Sequence, residues 1–256
     1  MSLKTQLPSI ATLANLGAGF VACGLTVADK PALAALAILA AVLMDSLDGA
    51  LARSLEVESD FGAQLDSLAD VVSFGVAPAL LAGSLLLPAK GDVPGNGDVP
   101  GNVVVMLWAL MAIFPLCAAW RLARYNVAHN EDTGEHGMFL GLPTTGAGGA
   151  AATLALLYLR FWPQDQTPPD HTVGPVLLTC TMAVLGGLMV SKFHYRHGGA
   201  IIARLSPGVA IVLAVLFVVG SALWDYEYLF GALMWSYVLS APLMTVSKHI
   251  TAAHHA

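Results

Sequence analysis

Two pairs of aspartates, Asp45 with Asp48 and Asp66 with Asp70, are the residues of this chain whose type and spacing point most directly to chemistry. Spacings of three and four each place a pair on one face of a helix. Only a short stretch separates the pairs, so the two helices are expected to be antiparallel neighbours with the carboxylates facing each other. Four carboxylates set among apolar residues cannot all stay ionised without compensation, because like charges repel and a charge inside a membrane is costly. One or two divalent cations would relieve this. An all-oxygen donor set without His or Cys favours Mg²⁺, Mn²⁺ or Ca²⁺ over zinc. Two such ions can clamp a diphosphate, and a carboxylate held loosely by them can serve as general base for an incoming hydroxyl. Gly49, Ala52 and Gly62 leave room for a nucleotide to approach the backbone, and Arg53 lies near enough to reach a phosphate. Solvated helix-end charges account for Glu56, Glu58 and Asp60, but not for aspartates embedded in apolar sequence.

The elements that must position these residues are membrane helices. Of the 256 residues, 57% are hydrophobic and 11% charged, with a mean hydropathy of +0.72; a soluble domain carries about 25% charged residues. Apolar runs predict an all-α, polytopic helix bundle of about eight spans, near 8–27, 31–53, 62–88, 103–126, 143–162, 174–192, 207–223 and 228–246. The first run lacks a small-residue cleavage site and reads as a retained helix. With both termini cytoplasmic, the inner side receives Lys4, Arg53, Arg121, Arg124, Lys192, Arg196, Arg204 and Lys248, and the outer side only Lys30, Lys90 and Arg160. That asymmetry obeys the positive-inside rule and turns the aspartates to the cytoplasm. The net charge of −6 gives no sign of nucleic-acid binding. Cys23, Cys117 and Cys180 lie far apart in apolar runs and read as packing residues. A tandem GDVPGN at 91–96 and 97–102 is a turn-rich loop on the outer side.

Residues 45–70, DSLDGALARSLEVESDFGAQLDSLAD, resemble the signature of the CDP-alcohol phosphotransferases, D-x2-D-G-x2-A-R-x8-G-x3-D-x3-D, with every spacing kept. The resemblance implies a six-helix catalytic core, expected here over 1–200, with 201–256 adding two helices and a polar tail. It further implies a homodimer in the cytoplasmic (inner) membrane with its active site open to the cytoplasm. By the same resemblance Asp45, Asp48 and Asp66 mainly hold two divalent cations, Mg²⁺ or Mn²⁺. Asp70 is then the base and also touches a metal, and Gly49, Ala52, Gly62 and Arg53 contact the CDP moiety.

Further strings resemble the phosphatidylserine synthase branch: PSIATLANLGAGF at 8–20, RLARYNV at 121–127 with FLGLPTT at 139–145, and LMVSKFHY at 188–195. The branch usually has Phe at the position of Tyr125, and Pro commonly appears near Thr145. The substrates implied are CDP-diacylglycerol and L-serine. Serine's carboxylate needs a cation, for which Arg121, Arg124 and Lys192 are candidates; snorkelling to the interface is the competing role for all three. Thr12 and Asn15, the polar residues of the first span, must find partners, either the nucleotide or a neighbouring helix. The scattered histidines read as solvated. Rival readings are the same chemistry with glycerol 3-phosphate or inositol phosphate, and an aspartate-rich membrane prenyltransferase, whose two motifs would lie far apart in sequence. A cation carrier is a further rival, but it leaves Gly49, Ala52, Arg53 and Gly62 unexplained.

Overall fold

Apolar runs broken by Asp, Pro and Gly become helices joined by tight turns, and the turns set which helices are neighbours. The computed structural model describes residues 3–55, 60–86, 101–130, 138–162, 173–196 and 226–254, with the side chains of 3–8, 47–55, 60, 128–130, 138–139, 173, 196, 226 and 246–254 excepted. Helix α1 (Leu3–Val27) turns at once into α2 (Pro31–Leu55). Ala28, Asp29 and Lys30 donate their amides to Gly24, Thr26 and Leu25 carbonyls, and Asp29 takes the left-handed conformation (φ 56°) that a short polar side chain tolerates. Pro31 opens α2, where a missing N–H costs nothing.

The next helical run holds the second aspartate pair and is not uniform. Helix α3 (Asp60–Asp70) passes through a π-helical turn, Val71–Val76, into α4 (Ala77–Leu86). Pro78 supplies the physical reason. It has no amide to give Phe74, and its ring would crowd that carbonyl in a regular α-helix. The preceding turn is widened instead, and the Ala77 amide bonds the Val72 carbonyl. Helix α5 (Gly101–Asn130) follows, with Pro115 inside it, then α6 (Thr144–Phe161), α7 (Val173–Val190) and α8 (Tyr226–His254). The expected span at 207–223 lies outside the described residues.

Neighbouring backbones approach closely because the core is rich in alanine and glycine, among them Ala22, Ala34, Ala41, Ala77, Ala118, Ala147 and Ala151. The π turn is gripped from three sides. A side chain at Gly19 of α1 would meet the Ser73 backbone at 2.6 Å, and one at Gly148 of α6 would meet the Phe74 backbone at 2.8 Å. On the third side Gly75 faces Pro115 and Ala118 of α5.

A small ribbon, unexpected from the sequence, pairs β1 (Met138–Leu140) antiparallel with β2 (His194–Arg196), placing Phe139 opposite Tyr195. Burial pushes the Tyr195 hydroxyl up to about 12, so it stays protonated and donates to the Val238 carbonyl of α8 at 2.9 Å. Val238 and Ala241 thus bring the last helix into the common core.

Outside that core, Leu13, Phe20, Leu116, Trp120 and Leu243 are exposed. Among the described residues, four stretches, Ser9–Val27, Phe61–Leu86, Gly101–Val127 and Glu227–Thr245, are long and apolar enough to cross a membrane, and Pro31–Ser46 and Gly174–Val190 are shorter apolar helices. The chain is a membrane-embedded, all-α helix bundle.

Candidate active site

Three of the four aspartates, Asp45, Asp66 and Asp70, meet. Asp45 comes from α2 and Asp66 and Asp70 from α3, and one carboxylate oxygen of each lies within 4.8 Å of the others. Asp70 is buried, while Asp45 and Asp66 are half-buried. Asp48, Gly49, Ala52 and Arg53 continue α2 beyond Asp45, and their side chains lie outside the described residues. Gly62 sits one turn before Asp66 on α3. Three carboxylates at this separation, with no nitrogen or sulfur donor among them, suit one hard divalent cation.

Both oxygens of Asp70 have partners. Thr144 donates its hydroxyl to Oδ2 at 3.1 Å, and the Asn15 amide donates to Oδ1 at 3.4 Å. Asn15 and Thr12 are both buried, one turn apart on α1. Asn15 is held from the other direction, since Ser73 of the π turn donates to its backbone carbonyl at 3.0 Å. The sequence left Asn15 undecided between nucleotide and neighbouring helix, and the structure gives it a helix partner. Thr145 donates to Asp45 Oδ2 at 2.9 Å. In the last turn of α3, Asn126 of α5 donates to Ser67 at 3.0 Å and fixes the helix between Asp66 and Asp70.

The three cations expected near an acceptor are placed differently. Arg121 is buried, donates to Thr144 at 3.4 Å, and is close enough to Asp45 and Asp70 for its charge to offset part of theirs. Arg124 directs its guanidinium to backbone carbonyls: Leu140 at 3.0 Å, Val190 at 3.1 Å and Met189 at 3.5 Å. A planar fork with several donors suits this clamp as an ammonium would not. Lys192 is exposed in the loop after α7.

Arg124 marks a knot that joins three strings singled out in the sequence. Gly141 donates its amide to Phe193 at 2.8 Å and Leu142 to Leu188 at 2.9 Å, which ties 139–145 to 188–195. Gly141 has φ 81°, and a side chain there would strike the Met189 carbonyl, so glycine is required. The knot sets where α6 begins, and hence where Thr144 and Thr145 stand. These two threonines are the site residues that sequence reasoning missed. They lie inside a quoted string, but nothing in their type or spacing distinguishes a hydroxyl aimed at a carboxylate from an ordinary helix-start threonine.

The family model for CDP-alcohol phosphatidyltransferase matches residues 5–239. The chain is 31% identical over 262 residues to the CDP-diacylglycerol–serine O-phosphatidyltransferase of Mycobacterium tuberculosis, an alignment spanning 97% of this chain and 81% of that protein. It is 31% identical over 191 residues to the protein of the same name from Bacillus subtilis, covering 75% of this chain and 90% of the relative. With the Methanocaldococcus jannaschii protein of that name it shares 33% identity over 159 residues, which is 62% of this chain and 61% of the relative.

Proposed function

The chain belongs to the CDP-alcohol phosphatidyltransferase family, and from that premise we propose that it transfers a phosphatidyl group from CDP-diacylglycerol to L-serine, giving phosphatidylserine and CMP. The observation that carries this reading is the convergence of Asp45, Asp66 and Asp70 on one point of a membrane-embedded bundle, with relatives of that activity's name aligned along nearly the whole chain.

Asp45 and Asp66, with Asp70 and the following-turn Asp48, would hold divalent cations, two of them, Mg²⁺ or Mn²⁺. When bound, such ions supply positive charge to the diphosphate of the CDP-lipid and to the departing phosphate. The remaining work belongs to the chain's own side chains. Asp70, oriented by Thr144 and Asn15, takes the proton from the serine hydroxyl. The freed oxygen bonds to the phosphorus that carries diacylglycerol, the bond from that phosphorus to the CMP oxygen breaks, and CMP leaves with the electron pair. The family resemblance assigns Arg53 to the CMP phosphate and Gly49, Ala52 and Gly62 to the nucleotide, with Thr12 and Asn15 of α1 as further candidates. Arg121 is the cation best placed for the serine carboxylate, being the one beside Asp70 and Thr144. Arg124 holds the loop that carries α6, and Lys192 stands exposed as a second cation for the incoming headgroup.

The same proposal places the site at the cytoplasmic face of the cytoplasmic membrane, in a homodimer, with 1–200 as the catalytic region and 201–256 as an appended pair of helices and tail. It is tested with one CDP-lipid and a panel of radiolabelled acceptors on the purified chain. Metal-dependent CMP release with serine as the preferred acceptor is expected. Preference for glycerol 3-phosphate or inositol phosphate would overturn the acceptor assignment, and no CMP from any acceptor would overturn the enzyme.

A further inference from the structure

Adjacent residues on a helix leave it about 100° apart, so Thr144 and Thr145, the first two residues of α6, cannot address one partner. They address two. Thr144 reaches Asp70 on α3 at 3.1 Å and Thr145 reaches Asp45 on α2 at 2.9 Å. The direction of each bond follows from chemistry. An ionised carboxylate has only acceptors, so the Thr145 proton points to Asp45. Arg121 has only donors, so at Thr144 the hydroxyl accepts from Arg121 at 3.4 Å and gives its own proton to Asp70.

We propose that Thr144 and Thr145 are a pair of positioning residues by which α6 sets the geometry of the carboxylates, Thr145 serving the cation through Asp45 and Thr144 serving proton removal through Asp70. The choice of a neutral donor matters. A lysine or arginine paired with Asp45 would hold it equally well but would compete with the cation for its charge. A hydroxyl orients the carboxylate and adds no positive charge to that of the nearby Arg121. Thr144 is buried, so its bond to Asp70 is made away from water, where a lost partner is felt most. The two donors are set in register by the knot behind them. Pro143 precedes Thr144, Leu142 is bonded to Leu188, and Gly141 is confined against Met189. A shift of that loop would move both hydroxyls together.

The inference rests on the metal-dependent reading above, and its test separates the two. Mn²⁺ binding to the purified chain is measured by electron paramagnetic resonance, beside kcat and the KM for serine and CDP-lipid at saturating metal. Thr145→Val is expected to weaken Mn²⁺ binding about 3- to 10-fold with kcat at saturating metal largely kept. Thr144→Val is expected to weaken Mn²⁺ binding less than Thr145→Val does and to lower kcat about 10- to 100-fold, with little change in either KM. Serine at either position, which restores the hydroxyl, should recover most of the loss. Thr153→Val removes another buried hydroxyl of α6, one bonded within its own helix to Ala150, and should alter neither readout. If a valine variant does not yield folded protein, alanine at that position replaces it. Valine variants with wild-type Mn²⁺ binding and kcat, identical defects in both, or no recovery with serine would each overturn the division of roles. Absence of Mn²⁺ binding in the wild-type chain would overturn the metal reading together with it.

Discussion

At the scale of single residues, the site is a set of carboxylates whose surroundings differ more than their sequence context suggests. Asp70 is buried with a donor on each oxygen, and Asp45 is half-buried with a donor on one. That contrast supports giving them different work. A base must present one lone pair in a fixed direction, and a carboxylate fixed from α1 and α6 at once is suited to it. Asp70→Asn keeps the shape and removes the basic oxygen. CMP release is expected to fall at least about 100-fold, the contribution typical of a general base, while metal-dependent CDP-lipid binding is largely retained. Parallel measurement of CMP formation and lipid binding checks this, and full turnover in the variant would remove Asp70 from the role. The aspartates and the cations were visible in the sequence because carboxylates and guanidinium groups are scarce in apolar runs. The threonines were not, because hydroxyls are common at helix starts and only the fold shows where they point. Arg124 stood in the sequence as a candidate cation for the acceptor, with snorkelling as the competing role; the three carbonyls it bonds come from segments far from it in sequence, which no local pattern could reveal.

At the scale of elements, the helices follow from apolar run lengths and the tight α1–α2 turn from Asp29 to Pro31, but two irregular features escape such reading. A three-residue strand has no periodicity to detect, so the ribbon of β1 and β2 is invisible before the fold. The π turn leaves only Pro78 as a trace. Its position matters, because it begins one residue after Asp70 and carries Ser73, the partner of Asn15; π turns interrupt α-helices frequently at functional sites. The grip on this turn predicts a sharp contrast between two glycines of α1. Gly19→Ala drives a methyl group into the Ser73 backbone, where nothing flexible can yield. It should cost about 1–3 kcal/mol of stability, the usual range for overpacking, and should depress activity by moving Asn15 relative to Asp70. Gly17, two residues earlier, is exposed with nothing within 4 Å of an added methyl. Gly17→Ala should be neutral or stabilising by up to about 1 kcal/mol, because alanine loses less backbone freedom in a helix. Thermal unfolding in detergent and CMP release, measured on both variants, check the pair; equal effects would mean that α1 does not seat against the turn as described.

At the scale of the whole molecule, the described site residues of α2, α3, α5, α6 and the loop after α7 gather at one end of the bundle. Asp45 lies toward the end of α2, Asp66 and Asp70 on α3, Arg121 and Arg124 toward the end of α5, Thr144 and Thr145 at the start of α6, and Lys192 just past α7. The antiparallel succession of helices makes that end one face of the membrane. The proposed orientation turns that face to the cytoplasm, because the lysines and arginines of the sequence fall mostly on that side of the expected spans. This predicts the sidedness of two loops in a chain whose Cys23, Cys117 and Cys180 have been replaced. Glu58→Cys, in the segment between the aspartate pairs, should react with a membrane-impermeant maleimide only after the membrane is opened. Asp92→Cys, in the GDVPGN repeat, should react from outside in intact cells. The reverse pattern would place the aspartates on the outer surface, away from a cytoplasmic supply of CDP-lipid and serine, and would overturn the proposed orientation while leaving the carboxylate geometry untouched. Both variants stand outside the site residues, so retained CMP release in each would confirm that the labelled protein is the active one.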